Sequence, residues 1–346
     1  MFSMTMRFIK KTLTSIVAGA AILSSSGCVH YHLDKQSRAA EKAPPQIELE
    51  LWRYYYRKRD FFKEGLTHKQ ITITDKKNYT LAEITLLPES KYTSYNSREI
   101  VFDYYSSKRG GKRPAIIILP IMGGKNYPIE SHFARYFATK EYNVFLVHRE
   151  QKMDKEVNAL EDVDNLLKTT VADNRRVIDW LSSQENIATN KIGVFGISFG
   201  AIKSSLLLAL EERVKASVLG LGGGDLPYIL AHTTEKGLVK HRAKLLKKHN
   251  LTLQEGEDIL RSTITYEPNE FARYINPQEA MLVLARFDTV VPYQKGLELR
   301  RNMGNPKTLV VPAGHYSSAV FIPHIKSQAF RFFERRFKEE GKNLPR

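Results

Sequence analysis

Apolar and polar positions along this chain alternate between two rhythms. Nearly continuous apolar runs at 115–119, 143–147, 191–196 and 215–221 have the length of buried strands. Between them, 128–140, 160–183 and 199–210 carry apolar residues at the three- and four-residue spacing of helices. Two more strand-like runs lie at 281–285 and 308–311. Strands and helices in alternation predict an α/β fold with a doubly wound, mostly parallel sheet. Upstream, 70–74, 80–87 and 99–105 alternate residue by residue, which predicts antiparallel strands at the start of the sheet.

The alternation breaks at 225–275. Helical runs at 226–231, 238–248 and 253–262, with turn signals at Asn250 and Pro268, predict a helical cap inserted between two late strands. The basic side chains of the cap, among them His241, Arg242, Lys244, Lys247 and Lys248, read first as a solvated helix face and second as contacts for an anionic substrate. Near the end, Ala329, Phe330, Phe333 and Phe337 form an apolar stripe among Arg331, Glu334, Arg335, Arg336 and Lys338. That pattern predicts a helix packed on the sheet with a charged outer face.

Chemistry enters at Gly196-Ile197-Ser198-Phe199-Gly200, between an apolar strand run and a helical one. A strand, a sharp turn and a helix present the Ser198 hydroxyl above the sheet, next to the partial positive charge of a helix N-terminus. The flanking glycines suit a close approach of strand and helix. A serine hydroxyl is a weak nucleophile until a base removes its proton. Asp288 and His315 each follow a later strand run, so Ser198, Asp288 and His315 all fall at carboxyl ends of predicted strands, where α/β sheets place their sites. His315 suits the base, and Asp288 suits the group that orients it. Asp225 competes as the acid; His324 and His148 compete more weakly as the base. The loop Pro120-Ile121-Met122-Gly123-Gly124 follows the strand run 115–119 and suits an oxyanion donor. Met122 is assigned, with Ile121 next, and the second N–H comes from Phe199.

These motifs resemble the α/β-hydrolases, most closely the dienelactone-hydrolase and acyl-esterase branch. The resemblance runs from about residue 70 to 340 and rests on residues 196–200, residues 288–292, Gly314-His315, and Asp179-Trp180-Leu181 on the helix before the serine turn. It implies a serine hydrolase acting on a small-molecule or acyl ester, with no metal and no organic cofactor. Two positions depart from the branch. Pro120-Ile121 replaces its usual His-Gly opening, and Ala201 stands where a third glycine is frequent. Peptidase or acyltransferase chemistry on the same three residues, or a non-enzymatic surface lipoprotein, are the alternatives.

The first 27 residues read as an export signal. Arg7, Lys10 and Lys11 precede a short apolar run at 12–23, then small residues lead to Cys28. The run is shorter than the ~20 residues that span a bilayer. Cys28 is the one cysteine in the chain and follows this segment as in a bacterial lipobox, although Ser25 stands where leucine is usual. Lipidation of Cys28 would attach the protein to the membrane. Val29 after it, by the same resemblance, permits sorting to the outer membrane; a soluble periplasmic protein is the alternative. Residues 28–45 read as a tether and 46–346 as the hydrolase domain. The aromatics at 47–62 read as packing on the main body, and His30-Tyr31-His32 as linker rather than a metal site. Net charge is +16, and taking Arg7, Lys10 and Lys11 from it leaves +13. Export and the scatter of the bases argue against nucleic acid; an anionic membrane surface suits the charge better.

Overall fold

The computed structural model describes residues 31–33, 40–41, 68–86, 99–122, 126–149, 160 and 162–340. The leader, Cys28, the aromatic segment 47–62 and Gly123-Gly124 lie outside the described residues.

The strands are β1 (Tyr31–Leu33), β2 (His68–Asp75), β3 (Tyr79–Leu86), β4 (Ile100–Ser107), β5 (Arg113–Leu119), β6 (Asn143–Val147), β7 (Ile187–Ile197), β8 (Val214–Gly220), β9 (Ala280–Ala285) and β10 (Lys307–Val311). They form one sheet in the order β1-β10-β9-β8-β7-β5-β6-β4-β3-β2. The six strands from β10 to β6 run parallel, and β4, β3 and β2 continue antiparallel. The main helices are α1 (Pro128–Thr139), α2 (Asp162–Ser182), α3 (Phe199–Leu210), α4 (Leu226–His232), α5 (Lys236–His249), α6 (Leu253–Thr263), α7 (Pro268–Phe271), α8 (Tyr293–Asn302) and α9 (Ile322–Glu340).

Side-chain alternation explains why helices cover both faces. In β5, Ala115, Ile117 and Leu119 join the apolar layer shared with α2 and α3, where Leu167, Trp180 and Leu206 lie. Ile116 and Ile118 join the opposite layer with Phe133 of α1 and Phe333 of α9. Such strands are apolar at every position because both faces are buried. Each fully buried side chain of this size contributes about 1.5–3 kcal/mol. Trp180 meets Phe102 and Tyr104 edge-on at 5.3 and 5.6 Å, while its neighbour Asp179 accepts a 2.6 Å hydrogen bond from Arg213. The Asp-Trp-Leu segment thus fixes α2 to the sheet on one side and to the start of β8 on the other.

The expected cap is present as helices α4 to α7 between β8 and β9. Asp164 of α2 accepts hydrogen bonds from the Thr265 and Tyr266 N–H groups at 2.7 and 2.9 Å, which ties the cap to the main layer. Two expectations need correction. The tether read at 28–45 contains β1, which pairs antiparallel with β10 and covers the backbone groups of that sheet edge. Arg336, expected on a solvated face, is buried: it meets Glu339 and Glu340 at 2.6 and 3.1 Å and Glu279 at 3.7 Å. A buried guanidinium is tolerable because carboxylates surround it.

Candidate active site

Strand order reverses around β5, with β6 on one side and β7 on the other. The loops that leave the carboxyl ends of β5 and β7 therefore part at this point and open a crevice. Ser198 sits there, between β7 and α3, with φ 56° and ψ −124°. That conformation is strained for a residue with a side chain. The Ser198 N–H donates to the Gly220 carbonyl of β8 at 2.7 Å, and its carbonyl accepts from the Ala201 N–H at 2.9 Å. The turn is also tight. A Cβ on Gly196 would collide with the Gly200 carbonyl, and one on Gly200 with the Leu119 carbonyl of β5. Glycine at both positions is a packing requirement.

The other two residues come from loops stitched to each other. The Arg286 and Phe287 N–H groups donate to the Val311 and Ala313 carbonyls at 2.9 Å each. The Ser318 hydroxyl holds the His315 carbonyl at 2.6 Å. His315 Nδ1 lies 2.7 Å from Asp288 Oδ2, and Nε2 lies 3.0 Å from Ser198 Oγ. An ionised carboxylate only accepts, so Nδ1 carries the proton and Nε2 is left to accept from the serine hydroxyl. Asp288 is buried, and its Oδ1 accepts from the Val290 and Val291 N–H groups at 2.9 and 3.0 Å. Those two amides compensate the buried charge and fix the carboxylate plane.

The competing residues lie elsewhere. Asp225 caps α4 and meets Lys295 at 2.5 Å and Arg261 at 2.9 Å. Burial alone would raise its pKa, but the hydrogen bonds from Lys295 and Arg261 outweigh that and hold it below the ordinary aspartate value. His148 pairs with Asp103 at 2.9 Å, and His324 lies in the first turn of α9. The Ser198 hydroxyl is bonded to His315.

At the β5 loop, the Ile121 N–H donates to Glu130 Oε1 of α1 at 2.9 Å. Ile121 is therefore occupied, and Met122 is the next amide along. Phe199 begins α3, so its N–H is among those a helix leaves without an internal partner. Sequence reasoning missed Glu130, because an acid in the first turn of a helix reads as ordinary compensation of the helix dipole. It also missed an aromatic rim. Phe287 and Tyr316, each adjacent in sequence to Asp288 or His315, are 66% and 68% exposed. The cap reaches the loop that carries Asp288, since Thr234 and Thr289 share a 2.9 Å hydroxyl contact.

The family model for X-Pro dipeptidyl-peptidases (S15 family) matches residues 162–280, from α2 through the serine turn to the cap. Among curated relatives, an uncharacterised protein of Mycobacterium tuberculosis is 28% identical over 160 residues, 46% of this chain. The match takes in only 35% of that relative's length. Among solved structures, an acetyl xylan esterase from a Paenibacillus species superposes with TM-score 0.63 at 13% identity, covering 87% of this chain and 97% of its own. Acetyl xylan esterase 1 from a Thermoanaerobacterium species gives 0.59 at 16% identity, covering 85% and 98%. An acylaminoacyl peptidase from Pyrococcus horikoshii gives 0.53 at 15% identity, covering 75% of this chain and 42% of its own. Sheet order, serine turn and these superpositions agree: the chain has the α/β-hydrolase fold.

Proposed function

We propose that this protein is an exported serine hydrolase that cleaves a carboxylic ester. The observation that carries the reading is the unbroken line of hydrogen bonds from Asp288 through His315 to Ser198. Ser198 Oγ attacks the ester carbonyl while His315 Nε2 takes its proton. The carbonyl oxygen becomes an oxyanion facing the Met122 and Phe199 N–H groups, our assignment for the oxyanion hole. Collapse expels the alcohol, which receives the proton from His315, and leaves an acyl-serine. Water, deprotonated by His315, then releases the acid and restores the serine. Asp288 stays ionised and stabilises the imidazolium at each stage. The cap and the rim at Phe287 and Tyr316 shape the pocket. The signal-like leader and Cys28 support export and lipid anchoring at the cell envelope. Palmitate labelling that persists in Cys28→Ser would refute the anchor.

A fluorophosphonate probe tests the centre of the proposal. Wild type should label and Ser198→Ala should not. Labelling that survives in Ser198→Ala, or none on folded wild type, would sink it. A second reading, an Xaa-Pro peptidase, is favoured by the family match over 162–280. Turnover of an Xaa-Pro amide in preference to acetyl esters would select it.

A further inference from the structure

A second cluster of reactive side chains lies away from Ser198, on one face of the antiparallel half of the sheet. Glu83 of β3 stands directly opposite Asp103 of β4. His148 follows β6, and its N–H donates to the Val101 carbonyl at 2.8 Å, one row from Asp103. The three side chains bring ligand atoms within 4.8 Å of one another, and all three are half-buried.

Two carboxylates facing each other across an antiparallel pair repel. Among the described residues, neither pairs with a lysine or arginine; the neighbour at hydrogen-bond distance is His148 Nε2, 2.9 Å from Asp103 Oδ1. The imidazole is also held in place. Tyr127 stacks on it with 4.9 Å between ring centroids and 22° between planes. Arg149 packs its guanidinium over Tyr127 at 4.5 Å and donates its backbone N–H to the Tyr127 hydroxyl at 2.8 Å. Like charges in register beside an oriented imidazole are the makings of a cation site.

We propose that Glu83, Asp103 and His148 bind one zinc ion. Two carboxylates neutralise the dication, and the imidazole favours zinc over magnesium or calcium, which take oxygen ligands. Zinc holds such ligands at about 2.0–2.2 Å, so tetrahedral neighbours stand roughly 3.3–3.5 Å apart. The Asp103–His148 pair must therefore open by about half an ångström to admit the ion. Water completes the fourth position. The ion would clamp β3, β4 and the end of β6. Through Tyr127 it would steady the start of α1, next to the β5 loop.

The test uses the full chain without a histidine tag, stripped with chelator and then given zinc chloride. After dialysis, elemental analysis should find one zinc per chain in wild type and in Ser198→Ala. The thermal midpoint should rise with zinc. Asp103→Asn and His148→Gln should lose both effects. Glu83→Gln removes a ligand charge and also the repulsion, so without metal it should melt no lower than wild type yet fail to respond to zinc. Wild type that retains no stoichiometric zinc would overturn the proposal and leave His148 as a counter-ion only. Full zinc retention in Asp103→Asn and His148→Gln would overturn it too, by placing the ion elsewhere.

Discussion

Glu130 is buried in the first turn of α1 and holds the Ile121 backbone N–H at 2.9 Å. This contact fixes the β5 loop one residue before the amide assigned to the oxyanion. A donor contributes only if it already points at the developing charge, and a displacement of about 1 Å can cost a hundredfold in rate. Glu130→Ala should lower kcat by about tenfold to a hundredfold with KM little changed. Glu130→Gln, which keeps an acceptor oxygen, should recover most of it. Steady-state kinetics on an activated acetyl ester would decide. A change confined to KM would remove Glu130 from loop positioning.

Asp288→Asn should preserve the fold and nearly abolish turnover. The asparagine oxygen can still accept from the Val290 and Val291 N–H groups, so the loop keeps its anchor. Its NH2 group would then face His315 Nδ1, which must become an acceptor and shift the ring proton to Nε2. That tautomer cannot take the Ser198 proton. The expected loss in kcat is about 10⁴-fold. A loss under tenfold, with the melting point unchanged, would show that Asp288 does not set the tautomer.

Glu211 links acid sensitivity to a buried charge cluster at the end of α3. It accepts from Arg213 through both oxygens at 2.8 Å and lies 3.6 Å from Arg175. Burial would raise its pKa, but the hydrogen bonds and charge of Arg213, with Arg175 behind them, bring it below the ordinary glutamate value. A carboxyl with a lowered folded-state pKa stabilises the fold above its unfolded pKa, and loses that contribution as pH falls through the folded one. Glu211→Gln takes a shared carboxylate from the buried Arg175 and the half-buried Arg213, which keeps Asp179, and should cost about 3 kcal/mol at neutral pH. The gap between variant and wild type should narrow below about pH 4.3, the ordinary glutamate value. Urea melts at several pH values would measure it; a constant gap would assign the effect to packing.

Much of this site was legible in the sequence because each of its residues sits at a change of rhythm. Ser198, Asp288 and His315 each follow an apolar strand run, and strand ends converge in a parallel sheet whatever their separation along the chain. The cap was legible for the opposite reason: three helical runs came where a strand was due. What the sequence hid depends on register or on distance. Glu83 and Asp103 are ordinary polar positions in alternating strands until pairing sets them opposite each other. Arg336 looks solvated until Glu279 comes within 3.7 Å from elsewhere in the chain. β1 is three residues long, too short to show any period, and exists because β10 offers it an edge.

The backbone of Ser198 supplies a test independent of any substrate. At φ 56° and ψ −124° the residue occupies a region natural to glycine, held there by the 2.7 Å bond from its N–H to Gly220 and by contact between β7 and α3. Such strain costs on the order of 1–3 kcal/mol and persists only because the surroundings impose it. Ser198→Ala and Ser198→Gly both remove the hydroxyl and its contact with His315, so both should be inactive. They differ in strain: alanine keeps the Cβ and glycine does not. Glycine adds freedom to the unfolded chain, which offsets part of the relief. Ser198→Gly should still be more stable than Ser198→Ala by about 1 kcal/mol, visible as a melting point higher by a few degrees. If the alanine variant melts as high as the glycine variant, the turn is not strained and the geometry assigned to the nucleophile is wrong. If the glycine variant melts higher, the fold gives up stability to hold the hydroxyl where His315 can reach it.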